Sequence, residues 1–143
     1  MPANTSPISP AVIAPAPWNG ITLVNANTTL DGTGTIGSTI GLVCTAGANG
    51  RRLNRLRINY TGTCVATVMR FFRNNGLTNA TPANNCLIGE VTVPANTLSQ
   101  VAAAPYLDYA INTVLAANEI LYYTIGTAVA AGHKVCCMDA ADY

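Results

Sequence analysis

The sequence predicts an all-β domain: a single β-sandwich, jelly-roll-like, with about eight strands. Three observations carry this reading. Short runs rich in Val, Ile, Thr and Tyr recur at fairly even spacing, separated by clusters of Gly, Asn and Pro, which is the signature of successive strands and turns. Leu56, Ile58 and Tyr60 alternate with Arg55, Arg57 and Asn59, the period-two pattern of a strand with one face in a core. No stretch combines helical length with caps; the one candidate, at 112–117, is too short to stand alone.

The chain divides into two parts. Residues 1–19 form an extended Pro-rich N-terminal arm and residues 20–143 the sandwich domain. Pro2, Pro7, Pro10, Pro15 and Pro17 remove backbone donors and fix φ, so neither helix nor central strand forms there. The arm carries no charge but does carry Val12, Ile13 and Trp18. Disordered linkers are normally polar and charged, so an apolar arm reads as a strap that orders on a neighbour. Its contact residues are expected to be Pro7, Pro10, Val12, Ile13, Pro15 and Trp18.

Within the domain, strands are expected near 21–25, 36–45, 52–60, 64–72, 87–93, 106–112, 120–125 and 133–138. Thr61-Gly62-Thr63 reads as a tight hairpin turn. Such a hairpin brings Arg70 toward the face that holds Arg55 and Arg57. Asn74-Asn75-Gly76 opens the longest polar loop, residues 74–86.

Composition narrows the function. The chain has 143 residues, 50% hydrophobic and only 9% charged, against about 25% charged in average proteins. A weakly charged surface suits a permanently assembled subunit, much of whose exterior is covered by neighbours. The net charge of +1 favours neither nucleic acid nor a membrane surface. Arg51, Arg52, Arg55, Arg57, Arg70 and Arg73 nevertheless lie in one short stretch. They either pair with the scattered acids of the same chain or form a docking surface for an acidic protein. No run is long and apolar enough for a membrane helix, and the N-terminus lacks the basic segment of a signal peptide.

Catalysis is not expected. The only histidine, His133, lies close to Cys136 and Cys137. On a strand, residues 133 and 137 share one side and residue 136 takes the other, so they do not converge on a metal. Asp31-Gly32-Thr33-Gly34 lacks the lysine and helix of a phosphate loop. No nucleophile motif is present. The reading therefore contains no catalytic residue, no cofactor, no metal and no small-molecule substrate. Five cysteines cannot form a complete internal disulfide framework, though a single bridge, for example Cys44 with Cys64, remains open. Exposed Tyr106, Tyr109, Tyr122 and Tyr123 would suit a second reading, sugar stacking by a carbohydrate-binding sandwich.

Thr45-Ala46-Gly47-Ala48-Asn49-Gly50, then Arg55-Leu56-Arg57-Ile58, then residues 62–72 (GTCVATVMRFF) resemble a group of small tailed-bacteriophage proteins. Residues 112–117 (NTVLAA), residues 121–132 (LYYTIGTAVAAG) and the closing Asp142-Tyr143 extend the likeness over roughly residues 40–143. His133 stands where that pattern has tryptophan. The family is that of capsid decoration, or cement, proteins. The resemblance implies a structural virion protein on the capsid surface, assembled in the host cytoplasm. It implies a homotrimer that binds and stabilises neighbouring major capsid protein subunits. A tail, baseplate or fibre component is the alternative within the same class.

Overall fold

The structure is a computed structural model that describes residues 12–13 and 22–143. Its strands are β1 (Val12–Ile13), β2 (Gly41–Thr45), β3 (Arg51–Tyr60), β4 (Thr67–Asn74), β5 (Asn85–Val93), β6 (Tyr106–Leu115), β7 (Ile120–Ile125) and β8 (His133–Asp142). A 3-10 turn, Pro82–Asn84, precedes β5. The strands form two four-stranded sheets, ordered β1-β8-β3-β6 and β2-β7-β4-β5. The first strand pairs with the last, β2 with β7, β3 with β6 and β4 with β5, all antiparallel. That is a long hairpin rolled up on itself, which defines the jelly roll. The predicted fold class, an all-β sandwich, therefore stands, and the strand order supplies the topology that the sequence left open.

The alternation read from β3 positions the core. Leu53, Leu56 and Ile58 face inward with no exposure, as do Met69 and Phe71 of β4. Leu115, Leu121, Tyr123, Ile125, Val135 and Cys137 complete the same cluster. Tyr109 stacks on Phe71 with ring centroids 5.1 Å apart. Gly89 of β5 makes room for it, since a Cβ there would collide with the Tyr109 hydroxyl.

The predicted hairpin at Thr61-Gly62-Thr63 does not form. β3 and β4 belong to different sheets, and residues 61–66 carry the chain over the end of the sandwich. The hydroxyl of Thr61 donates to the carbonyls of Ala131 and Gly132, and Cys64 bridges Asn96. A hairpin would have set both apolar stripes side by side on one face. Crossing sheets turns Leu56 and Ile58 toward Met69 and Phe71, so each stripe buries the other.

Two other expectations are corrected. The strand at 21–25 shrinks to one bridge, Leu23 with His133. The strand at 36–45 begins only at Gly41, because the Thr35 carbonyl accepts from the amides of Ser38, Thr39 and Ile40 and closes a turn. As expected, no helix forms at 112–117, where β6 ends at Leu115 and a turn follows. In addition, β1 lies inside the predicted arm and pairs Val12 with Asp142 and Ile13 with Ala141.

Candidate functional site

Of the arm residues singled out from sequence, Val12 and Ile13 pair through their backbones with β8 of the same chain. Pro7, Pro10, Pro15 and Trp18 lie outside the described residues.

The six arginines do not form one surface. Arg55 and Arg57 lie on the outer face of the β3 sheet. Arg57 clamps Asp108 of β6, Nε to Oδ1 at 2.7 Å and Nη2 to Oδ2 at 2.9 Å, the bidentate geometry that guanidinium favours. Its carbon Cζ lies 3.8 Å above the Tyr106 ring. Arg55 donates to Asp108 at 3.1 Å, and its Nε lies 3.1 Å from Asp139 Oδ2, an ion pair without hydrogen-bond geometry. The Arg57 guanidinium holds the Asp108 carboxyl below its ordinary value, and Asp108 in turn raises Arg57.

Arg70 points outward from the opposite sheet, where it pairs with Glu90 of β5 at 2.5 Å. Arg73 reaches Glu119 at the turn before β7, also at 2.5 Å, and Glu119 accepts the Ala116 amide as well. Arg51 faces inward and is nearly buried. It holds Asp142 with two bonds, 2.6 Å and 2.8 Å. Arg52 alone has no carboxylate partner among the described residues; its Nε donates to Asn54 at 2.9 Å. It lines a shallow basin with Asn54, Asn112, Thr113, Val114 and Tyr143.

Five of the six arginines are thus neutralised within the chain. The sixth acid, Asp31, accepts from the Thr33 amide and hydroxyl. The cluster in sequence is divided in space because β3 and β4 lie in different sheets. Of the two readings its composition allows, in-chain pairing describes most of it.

His133 is fully buried and leans on Tyr60, ring centroids 5.2 Å apart. Neither ring nitrogen has a protein hydrogen-bond partner, and burial pushes its pKa down, so the ring is neutral at pH 7. Cys137 shares its side of β8, while Cys136 faces outward and accepts from Asn59. No group of three or more His, Cys, Asp or Glu among the described residues could hold a metal ion.

The proposed sugar platform is overturned. Tyr122 and Tyr123 are buried, and Tyr109 is half-buried with its ring packed against the core. Only Tyr106 is exposed, and Arg57 covers its face. Four tyrosines look equivalent in sequence, but alternation and the overlying loop bury two of them and turn a third against the core.

Sequence reasoning missed an apolar end of the sandwich. Thr63, Cys64, Val65, Ala95, Asn96, Thr97 and Ala130 line a concavity of about 370 Å3. Val65 and Leu98 are about half exposed beside it, and Leu98 is tethered by its amide to the Thr63 hydroxyl. Val101, farther along the same loop, is 98% exposed. The available signal was the segment 94–105, which contains no charge at all. Charge-free apolar surface of this kind marks contact sites more often than bare loops.

These features define a class, a jelly-roll domain with internally paired charges and one apolar end. No protein-family profile, no curated protein and no solved structure matches the chain.

Proposed function

We propose that this chain is a structural virion subunit, a capsid decoration protein that binds and stabilises neighbouring major capsid protein subunits as a homotrimer. The observation that carries the reading is the character of its surface. Five of the six arginines are spent on carboxylates of the same chain, while Val65 and Leu98 stand uncovered beside one concavity and Val101 farther along the same loop. Such a surface gains little from steering by charge and much from burying apolar area against a partner. The likeness of residues 40–143 to decoration proteins supplies the kind of partner.

In this reading the apolar end seats on the shell, and residues ahead of β1 strap a neighbour. A small module repeated at every shell junction stabilises the whole through many modest contacts. The domain performs no catalysis and needs no cofactor. A tail or baseplate role uses the same surfaces and differs in copy number.

Copy number in purified virions, measured against the major shell protein, tests the reading. A decoration role gives copies comparable in number to shell subunits. A handful of copies moves the protein to the tail, and none refutes a virion role.

A further inference from the structure

Two of the free thiols in the buried core come from opposite sheets. Cys44 lies on β2 and Cys137 on β8, strands of different sheets, and each is 2% exposed. β2 and β8 approach within 8 Å, backbone to backbone, whereas stacked sheets ordinarily lie about 10 Å apart. The two thiols and the Arg51 guanidinium lie close enough to act on one another electrostatically. Arg51 is itself fixed by its two bonds to Asp142. The other cysteines stand elsewhere: Cys64 against the Gly132 carbonyl at the apolar end, Cys86 exposed on β5, and Cys136 on the outer face of β8.

We propose that Cys44 and Cys137 are a latent inter-sheet cross-link site, closed by a peroxide-class oxidant into a disulfide that staples the two halves of the jelly roll. The chemistry needs a thiolate as nucleophile. The Arg51 guanidinium lies against Cys44, and a guanidinium favours negative charge on the sulfur beside it. Cys44 therefore attacks first. Its sulfur bonds one peroxide oxygen and the O–O bond breaks, releasing hydroxide, which takes a proton to become water. The Cys44 sulfenic acid is then attacked by the Cys137 sulfur, the S–S bond forms, and the S–O bond breaks with loss of a second water. Two thiols and one peroxide give one disulfide and two waters.

The link closes a loop of roughly 90 residues, in the range where chain entropy predicts a large stabilisation. The reduced protein folds as a jelly roll without it, so the bridge adds stability once the protein meets an oxidising medium. This inference does not depend on the virion reading.

The test uses the full chain, treated with hydrogen peroxide while folded, then alkylated under denaturing conditions. Mass spectrometry should show the loss of two hydrogen atoms and one linked peptide pair, Cys44 with Cys137. The melting temperature should rise by roughly 10 °C or more and return to its starting value with dithiothreitol. The double variant Cys86→Ser with Cys136→Ser, changed outside the core, should form the same link. Full alkylation of both core thiols, a link through any other cysteine, or oxidation of Cys44 that halts short of a disulfide would overturn the proposal.

Discussion

The two sheets turn opposite kinds of surface outward. On the β3 sheet the outer face is a lattice of charge, with Arg57 on Asp108, Arg55 on Asp108 and Asp139, and Tyr106 beneath Arg57. On the β4 sheet the outer face is partly apolar. Phe72, Tyr122 and Ile40 form a second, smaller buried cluster with Leu42 and Ile120. The loop at 26–40 covers it. Asn27 ties that loop by accepting from Thr29 and donating to the Thr33 carbonyl, and Gly32 passes directly over the Phe72 ring with φ of +74°. Both faces come from alternation, reset in β3 by a bulge between Leu53 and Leu56. One needs only cross-strand pairing, while the other needs a lid. The lidded face should therefore be energetically sensitive and the charged face tolerant.

That contrast can be broken most severely at Phe72. Phe72→Ala removes the centre of the outer cluster and should cost about 3–5 kcal/mol, read as a lowered urea midpoint. Gly32→Val comes next. A side chain there meets the Phe72 ring and Asn85 and forces a positive φ on a branched residue, for a cost of about 1–3 kcal/mol. Both changes should leave the charged face intact, which amide exchange along β3 and β6 would report.

Acid separates the groups further. The ordinary histidine pKa is 6.5, and that of folded His133 is lower. Between those values the unfolded chain holds the extra proton, so stability falls as pH drops below about 6.5. His133→Leu should remove that slope from a pH series of denaturation midpoints. Asp108 and Asp142 titrate below their ordinary 3.8 because of Arg57 and Arg51. Their contribution is present above pH 3.8 and is lost as pH falls through the depressed values. Asp108→Asn should have the smallest effect of the series, since its pairs are open to solvent and exposed pairs contribute little. Its effect should disappear in high salt. A large loss at neutral pH from Asp108→Asn would mean that the charged face carries more of the fold than its exposure suggests.

Much of the fold was legible in local patterns. Leu56, Ile58 and Tyr60 declared the inner side of β3, and Met69 and Phe71 that of β4, because alternation depends only on neighbouring residues. The relation between the two strands was not legible. Thr61-Gly62-Thr63 fits a tight turn as well as a crossing, and only the far contacts with Ala131, Gly132 and Asn96 decide it. That one ambiguity also hid the division of the arginines, since Arg70 and Arg57 share a face only if β3 and β4 form a hairpin. Phe72 and Tyr122 were hidden for a similar reason: their cover comes from residues more than thirty positions earlier in the chain. The apolar end was written in the charge-free stretch 94–105, a signal of composition rather than of motif.

The central claim is that paired charges leave the apolar end to do the docking. Cosedimentation of the protein with purified shells, repeated from about 0.05 M to 1 M salt, tests it most directly, because exposed charge contacts are screened over that range and apolar ones are not. The account predicts occupancy that holds across the series and collapses when Val101→Asp is combined with Leu98→Asp. Occupancy that falls steeply with salt and survives both changes would contradict it.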